Sequence, residues 1–267
     1  MTTDKYLLAD VAFATERRRL EILERLNDPA TFAWLTRLGI SEGWRCLDVG
    51  AGVGSVVHWM AERVGANGTV VAADLDTRFL RARDLPNVEI RELDILEDEI
   101  EVNHYDLVHT RFLLLHLSSP ERALAKMVSA IKPGGWLLIE DADHTTVAAV
   151  DQNHALARVF NVTIRKEMDF TAASLKVDPY FGRKLPGLIK QLGLRDVDHE
   201  GKISVREGGG DVGEYWENLL GTLRDKYVGN AGIPEADYEA QIQAFNDPSF
   251  QFTDLAVFAA WGRKPEE

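Results

Sequence analysis

Cysteine is almost absent from this chain, since Cys46 is the single one among 267 residues. One thiol excludes a disulfide within the chain, and a cysteine-based zinc site lacks its ligands. Because Cys46 lies inside an apolar segment, we interpret it as a buried side chain rather than a reactive one. The fold must therefore depend on a hydrophobic core, for which the 45% of hydrophobic residues are ample.

Long hydrophobic runs are also lacking. No apolar stretch approaches the ~18 residues that a membrane-spanning helix needs. The segment Met1–Tyr6 does not have the basic start of a signal peptide, and no apolar centre follows it. We therefore expect a cytoplasmic protein that has no membrane partner.

Positively charged residues are outnumbered by negatively charged ones. The chain has 30 Lys and Arg and 43 Asp and Glu, which gives a formal net charge of −13. Binding to a phosphate backbone is driven by clustered Lys and Arg. We therefore do not expect nucleic acid as a partner. Metal ligands are not clustered either, since Asp141 and Asp143 alone are too few, and we predict no metal.

What the chain does contain is a glycine-rich turn between a short apolar strand and a helix, in residues 44–57. Gly50, Gly52 and Gly54 suit a sharp turn whose bare backbone contacts a ligand. Their spacing is G-x-G-x-G rather than the G-x-G-x-x-G of dinucleotide-binding proteins, and Asp48 precedes them by two residues. That carboxylate would repel a diphosphate, whereas it can accept hydrogen bonds from a cationic amine.

A second carboxylate, Asp74, closes the apolar segment 70–74, about 20 residues after Gly54. An acidic residue at the end of a second strand, at about this distance, is placed to bind both hydroxyls of a ribose. The two carboxylates and the glycine turn therefore predict a site for an adenosine-containing ligand with a cationic group.

Residues 48–54 together with Asp74 resemble the S-adenosylmethionine-dependent methyltransferases of the Rossmann-like class, in particular those acting on small molecules. Later motifs of that family follow in order up to Glu140, including the Pro-Gly-Gly turn at residues 133–135. The resemblance implies an α/β fold with a doubly wound, mostly parallel seven-stranded sheet and helices on both faces. It also implies S-adenosyl-L-methionine as the cofactor.

The resemblance assigns cofactor contacts by position in the motif order. A tyrosine and an arginine of the N-terminal helix would reach the methionine carboxylate, although Arg19 also reads as part of a solvated helix face. Asp94 would accept a hydrogen bond from the adenine, although it also reads as one loop acid among several. The predicted cofactor-binding residues are Tyr6, Arg19, Asp48, Gly50, Ala51, Gly52, Asp74, Leu75, Asp94, Ile95, Thr110 and Arg111.

The predicted organisation interrupts the sheet domain with two helical insertions. Its parts are an N-terminal helical segment (1–43, broken at residues 27–29), the cofactor-binding core (44–144), a helical lid insertion (145–184), the continued core (185–207), a second helical insertion (208–250) and the last core strand (251–267). Residues 194–206 are expected to form the sixth strand. Both insertions are placed to help form an acceptor pocket.

The predicted reaction is methyl transfer to an oxygen or nitrogen of a small-molecule or short-peptide acceptor. An oxygen nucleophile needs a base, for which His144 is the first candidate because imidazole titrates near neutral pH. Asp143 and His109 are the alternatives, and His109 also reads as a packed, satisfied histidine. A nicotinamide-dependent oxidoreductase and a non-catalytic S-adenosylmethionine-binding protein remain open, as does the oligomeric state, a homodimer included.

Overall fold

The computed structural model describes residues 13–80 and 84–266. These residues form two compact units. The sheet unit comprises Asn27–Asp141, Arg183–Glu200 and the described residues from Phe258 onward. The helical unit comprises the described residues up to Leu26 together with Ala142–Gly182 and Gly201–Val257.

Helices and strands alternate along most of the described chain. The helices are α1 (Phe13–Arg37), α2 (Ser55–Val64), α3 (Pro120–Ala130), α4 (Ala157–Ser174), α5 (Leu185–Gln191), α6 (Gly210–Asp225) and α7 (Glu235–Asn246). The strands are β1 (Arg45–Val49), β2 (Thr69–Asp74), β3 (Val88–Glu92), β4 (Tyr105–Arg111), β5 (Ile131–Asp143), β6 (Ala148–Ala149), β7 (Arg195–Lys202), β8 (Val205–Glu207), β9 (Gln251–Thr253) and β10 (Ala256–Arg263).

Seven strands form one sheet in the order β3-β2-β1-β4-β5-β10-β7. The pairs β1–β2, β2–β3, β1–β4 and β4–β5 are parallel. Its central strands are buried on both faces, as in the fully buried run from Val70 to Ala73, which is why their sequences read as continuous apolar segments. The predicted doubly wound, mostly parallel seven-stranded sheet is confirmed.

The strand order reverses between β1 and β4. From β1 the chain proceeds outward to β2 and β3, and it then returns to the other side of β1 to add β4 and β5. Such a reversal opens a crevice at the carboxyl ends of the two central strands, where open α/β sheets bind their ligands. The fold therefore points to the loops after β1 and β4.

Helix α1 continues through Pro29, so the predicted break at residues 27–29 is wrong. A proline inside a helix removes one backbone hydrogen bond and costs about 3 kcal/mol. Beyond it, Trp34 and Leu35 are almost fully buried in the sheet unit, and each such burial contributes about 1.5–3 kcal/mol. Tertiary packing thus outweighs the local signal.

The helical unit contains a small antiparallel sheet in the order β6-β9-β8, which the sequence did not predict. The predicted sixth strand over residues 194–206 is therefore wrong in extent. Strand β7 ends at Lys202, and Val205 belongs to β8 because it pairs with Thr253, far away along the chain. Local alternation of apolar residues carries no information about such a distant partner.

An aromatic cluster fills the core of the helical unit. The ring of Phe160 lies 5.0 Å from that of Phe245, 4.9 Å from Phe250 and 5.9 Å from Phe252. The indole of Trp216 stacks on Phe245 with 4.8 Å between centroids. These contacts join α4, α6 and α7 to the small sheet.

We expect Phe160→Ala to lower the free energy of unfolding by about 3–5 kcal/mol, because it removes a fully buried ring and leaves a cavity among three others. Urea unfolding measures the change. Val162→Ala, on the same helix but 45% exposed, is the matched control and should cost well under 1 kcal/mol. Equal effects of the two substitutions would contradict this assignment of the core.

Candidate functional site

The loop after β1 has the left-handed backbone that its glycines predict. Gly50, Gly52 and Gly54 have φ angles of 78°, 58° and 98°, values that side chains with a Cβ rarely adopt. A Cβ at Gly52 would meet no atom within 4 Å, so the space beside this part of the loop is open. Helix α2 begins directly afterwards at Ser55, and its first amides have no partner within the helix.

Hydrogen bonds join this loop to the end of β2. The amides of Gly50 and Ala51 donate to the carbonyl of Ala73, at 2.8 and 3.1 Å. The amide of Gly52 donates to Asp74 Oδ2 at 2.9 Å, and the amide of Asp76 donates to Asp74 Oδ1 at 2.9 Å. Each carboxylate oxygen retains a lone pair for a further donor, so Asp74 is able to bind a pair of hydroxyls.

The burial of Asp74 raises the pKa of its carboxyl group, and the two backbone amides oppose that shift. Next to it, the Leu75 side chain is 53% exposed, an unusual exposure for leucine directly after a buried strand. An apolar surface beside a hydrogen-bonding carboxylate suits the face of a heterocycle whose sugar binds the carboxylate.

The loop after β3 contributes Asp94 and Ile95. Asp94 Oδ1 accepts a hydrogen bond from the amide of Leu96 at 2.9 Å, and the amide of Asp94 donates to Asp98 Oδ2 at 2.8 Å. Ile95 is buried. The backbone of this loop is tied to β2, because the amide of Leu93 donates to the carbonyl of Asp74 at 3.0 Å.

Asp48, His109 and Glu140 form a buried group on β1, β4 and β5, with exposed fractions of 3%, 1% and 0%. His109 Nδ1 lies 2.6 Å from Asp48 Oδ1, and His109 Nε2 lies 3.0 Å from Glu140 Oε1. The sequence left two roles open for His109, that of a base and that of a packed, satisfied histidine, and its burial bears on both. The ring contacts two carboxylates inside the sheet, which matches the alternative of a packed, satisfied histidine.

Both ring nitrogens of His109 face carboxylates, which holds the ring as an imidazolium. Burial by itself lowers the pKa of His109, but the attraction of Asp48 and the hydrogen bonds to Asp48 and Glu140 outweigh burial and raise the pKa to about 9. A neutral imidazole has one N–H and one lone pair, so it would donate to only one of the two carboxylates.

The end of β4 carries Thr110 and Arg111, both predicted to bind the cofactor. Thr110 Oγ1 donates to the carbonyl of Val49 at 2.8 Å. Arg111 donates from Nη1 to Thr31 Oγ1 at 2.8 Å and from Nη2 to Asp28 Oδ1 at 3.0 Å. Their side chains thus bind protein groups, which leaves their backbone as the part that a ligand would contact.

The residue after Arg111, Phe112, has a φ of 55°. This left-handed conformation is strained for an aromatic residue, and such strain is concentrated at functional loops. The amide of Phe112 donates to the carbonyl of Glu140 at 3.0 Å. The crevice predicted by the strand order therefore has a strained loop on the β4 side and a left-handed glycine loop on the β1 side.

Arg19 lies in the helical unit, and Tyr6 lies outside the described residues. The Arg19 guanidinium is buried and binds Glu16 through two hydrogen bonds of 2.9 and 2.7 Å. It also donates to the hydroxyl of Tyr215. The alternative interpretation of Arg19 as part of a solvated face does not match this burial.

His144 and Asp143, the first two base candidates, also belong to the helical unit. His144 Nδ1 lies 3.1 Å from the carbonyl of Pro179, which can only accept, so Nδ1 carries the proton and Nε2 the lone pair. Burial lowers the pKa of His144, against weaker opposing effects of Pro179 and Asp143. Asp143 accepts from the amide and hydroxyl of Thr145 at 2.9 and 2.7 Å. Of the two, His144 has the better chemistry for a base.

Three contributors to the site were missed by the sequence analysis: Asp28, Thr31 and Glu140. Glu140 gave a weak signal, since it is a charged residue closing an apolar strand. Asp28 and Thr31 gave none, because only the packing of α1 brings them to Arg111 and Glu140.

The described residues contain neither a metal-ligand cluster nor a helix suited to spanning a membrane. Over residues 13–80 and 84–266, no group of three or more His, Cys, Asp or Glu side chains is arranged to hold a metal ion. In the same part of the chain, no helix is both long and apolar enough to cross a membrane.

Comparison with known sequences identifies a family. The family model described as "Methyltransferase domain" matches residues 14–199. Methyltransferase str3 of Strobilurus tenacellus is 30% identical over 159 residues, which are 58% of this chain and 54% of that protein. The chain thus spans about half the length of this relative. The ubiquinone/menaquinone biosynthesis C-methyltransferase UbiE of Idiomarina loihiensis is 30% identical over 191 residues, 64% of this chain and 75% of that protein.

Solved structures show the same fold. One is phosphoethanolamine N-methyltransferase 2 of Haemonchus contortus, solved in complex with S-adenosyl-L-methionine. Its alignment with this chain has a TM-score of 0.58 and 18% identity, and it covers 99% of this chain and 60% of that protein. Another is a protein of Galdieria sulphuraria described as a "putative sarcosine dimethylglycine methyltransferase". Its alignment covers 90% of this chain and 86% of that protein, with a TM-score of 0.53 and 14% identity. The predicted resemblance to Rossmann-like methyltransferases, and the cofactor that it implies, are confirmed.

The charge on His109 predicts a pH-dependent stability. Its pKa in the folded protein, about 9, lies above the ordinary value of about 6.5. The contribution of His109 is therefore complete below about pH 6.5 and is lost as the pH rises through about 9. Burial also raises the pKa of Glu167, to about 8, which lowers stability with rising pH from about 4.5 onward.

The difference in the free energy of unfolding between the wild type and His109→Gln isolates the contribution of His109, because both proteins contain Glu167. We expect the wild type to be the more stable at pH 6, and this advantage to shrink between pH 7 and pH 10. Urea unfolding at each pH measures it. A difference that stays constant across this range would contradict the assignment of a charged His109.

Proposed function

Because the chain belongs to the methyltransferase-domain family, we propose that it transfers the methyl group of S-adenosylmethionine to an oxygen or nitrogen atom of a small molecule or short peptide. The proposal rests on the hydrogen bond that joins the glycine loop, residues 50–54, to the carboxylate of Asp74. The loop is open at Gly52, and the amide of Gly52 orients a carboxylate that retains lone pairs for two hydroxyls.

The residues of the sheet unit fit this cofactor. Asp74 would bind the ribose hydroxyls, Leu75 would cover one face of the adenine, and Asp94 and Ile95 would adjoin its edge. Asp48, Gly50 and the backbone of Thr110 and Arg111 would receive the cationic methionine part, for which the buried carboxylates supply a favourable charge. The contacts of Tyr6 and Arg19 remain predictions from the resemblance.

When bound, the cofactor supplies a methyl group on a positively charged sulfur, which is already activated for displacement. The protein must then orient the acceptor and, for an oxygen nucleophile, take up its proton. We propose His144 as that base, since its lone pair is on Nε2 and burial keeps its pKa low enough for the ring to be neutral at pH 7. Asp143 is the weaker candidate, and the predicted alternative His109 is disfavoured because both of its ring nitrogens contact carboxylates.

Carbon is a second candidate for the methylated atom. The relative from Idiomarina loihiensis is named as a C-methyltransferase and matches 64% of this chain. A carbon nucleophile would also benefit from a base next to an acidic C–H or O–H group. The family match leaves no support for a nicotinamide-dependent oxidoreductase.

The acceptor class is proposed from charge and from the two insertions. With a net charge of −13, the chain is poorly suited to nucleic acid. We propose that residues 145–184 and 208–250 supply side chains that select the acceptor. The aromatic cluster of Phe160 and Trp216 gives these segments a rigid support.

Two measurements test the proposal. Calorimetric titration with S-adenosylhomocysteine and with NADH should show binding of the first only. Transfer of a radiolabelled methyl group to a panel containing phenols, carboxylic acids, amines and quinols should then identify the acceptor atom. Binding without turnover on any member of a broad panel would favour a non-catalytic S-adenosylmethionine-binding protein.

We expect Asp74→Ala to weaken S-adenosylhomocysteine binding by at least tenfold, since it removes hydrogen bonds to a charged group worth about 1.5–3 kcal/mol each. Calorimetry measures the change. Glu89→Ala, which removes an exposed carboxylate from the neighbouring β3, is the control for charge and should bind like the wild type. Unchanged affinity of the Asp74 variant would remove the ribose assignment.

We expect His144→Ala to lower turnover by roughly 10²–10⁴-fold while cofactor affinity stays within a few-fold. His144→Gln should fail similarly, because an amide does not accept the proton. Since the pKa of His144 is lowered, wild-type turnover should be constant above about pH 6.5 and fall only below it. His199→Ala, an exposed histidine, is the control. Near-normal turnover of the alanine variant would assign His144 to packing.

A further inference from the structure

A continuous chain of polar side chains crosses the sheet unit and begins and ends at the glycine loop. We refer to it as the buried polar chain. It comprises, in order of contact, Asp48, His109, Glu140, Thr31, Arg111, Asp28 and Ser55. These residues come from β1, β4, β5, α1 and α2, and all of them belong to the sheet unit.

The first half of the chain is charged and almost fully buried. Its two contacts are the 2.6 Å pair of Asp48 and His109 and the 3.0 Å pair of His109 and Glu140. Asp48 precedes Gly50 by two residues and is the last but one residue of β1. Any movement of His109 or Glu140 is therefore transmitted to the entry of the loop.

The second half returns to the exit of the loop. Thr31 Oγ1 donates to Glu140 Oε2 at 2.8 Å and accepts from Arg111 Nη1 at 2.8 Å. Arg111 Nη2 donates to Asp28 Oδ1 at 3.0 Å, and Ser55 Oγ donates to the same oxygen at 2.9 Å. Ser55 is the first residue of α2 and directly follows Gly54. Both ends of the loop are thus held by one set of hydrogen bonds.

The charges of the buried polar chain depend on His109. Around it stand Asp48 from β1 and Glu140 from β5, with Arg111 further along β4 and Asp28 on α1. With a protonated His109, two cations face three carboxylates. Loss of that proton leaves a ring lone pair facing a carboxylate at hydrogen-bond distance, so Asp48 or Glu140 must move away.

A buried network of this kind has a purely structural interpretation, in which it only specifies the packing of the sheet. Its path distinguishes the two interpretations. A network that only specifies packing is not expected to end on both flanks of the glycine loop, whereas a network that positions this loop is. The loop is also joined to Asp74 through the amide of Gly52, so its geometry affects the adenosine half of the site as well.

We propose that His109 is a positioning residue for the cofactor site. As an imidazolium it holds Asp48 directly, and it holds Asp28 and Ser55 through Glu140, Thr31 and Arg111, so that the glycine loop keeps its ligand-binding geometry. Ligand affinity then falls when His109 loses its proton. This inference rests on the proposed function, because it concerns the same cofactor site.

The sign of the effect separates positioning from simple electrostatics. Without the proton on His109, the carboxylates carry more uncompensated negative charge, and charge alone would make a cationic ligand bind more tightly. Positioning predicts weaker binding instead. A probe without the α-amino and carboxylate groups of the methionine part removes the charge effect and the titration of the ligand itself. 5′-Methylthioadenosine is such a probe, because it keeps the adenosine part of the cofactor and is uncharged from pH 6.5 to pH 10.

The experiment is calorimetric titration of the full chain with 5′-methylthioadenosine and with S-adenosylhomocysteine from pH 6.5 to pH 10. For the wild type we expect the affinity for 5′-methylthioadenosine to fall by roughly tenfold as the pH rises through about 9, the effect of one charge-assisted hydrogen bond. His109→Gln should bind several-fold more weakly at pH 7 and show no such fall. The control His58→Gln changes an exposed histidine of α2 and should match the wild type.

The outcomes are distinguishable. Wild-type affinity that is constant or rises toward pH 10 overturns the proposal, even if His109→Gln does not fold. A His109→Gln profile parallel to that of the wild type also overturns it. If the wild type binds neither ligand at pH 7, the proposed function fails instead. Ser55→Ala, which removes the last link to Asp28, should weaken binding at pH 7 and retain the fall at high pH.

Discussion

The burial of an imidazolium between two carboxylates is the interaction on which the centre of the sheet depends. Charged groups inside a protein are costly unless each finds a partner of opposite charge with good geometry. Here Asp48 and Glu140 are acceptable inside the sheet because His109 lies between them at hydrogen-bond distance from both. The same group connects β1, β4 and β5, the strands next to the reversal of strand order. The three strands therefore share one electrostatic requirement.

The chemistry of the chain is divided between its two units. The sheet unit carries the glycine loop, Asp74 and the polar side chains that hold them. The helical unit carries His144, whose contact with Pro179 leaves the lone pair on Nε2, and an aromatic core that supports the surrounding helices.

The relatives limit how much of the function follows from family membership. Their names include methyltransferases acting on carbon and on nitrogen. Membership therefore defines the donor and the type of reaction. The acceptor does not follow from membership alone.

Local sequence was sufficient for the central strands of the sheet and for the glycine-rich turn after β1. Gly50, Gly52 and Gly54 predict a left-handed turn because only glycine adopts it without strain, and Asp74 follows at the distance that one βαβ unit requires. Tertiary structure alone decided the rest. Helix α1 continues through Pro29 because buried side chains beyond it outweigh the lost hydrogen bond, and Val205 joins a second sheet because its partner Thr253 is distant in the chain. For the same reason His109 proved to be the centre of a charged network: its partners Asp48 and Glu140 come from two other strands, and no local pattern records which side chains folding brings together.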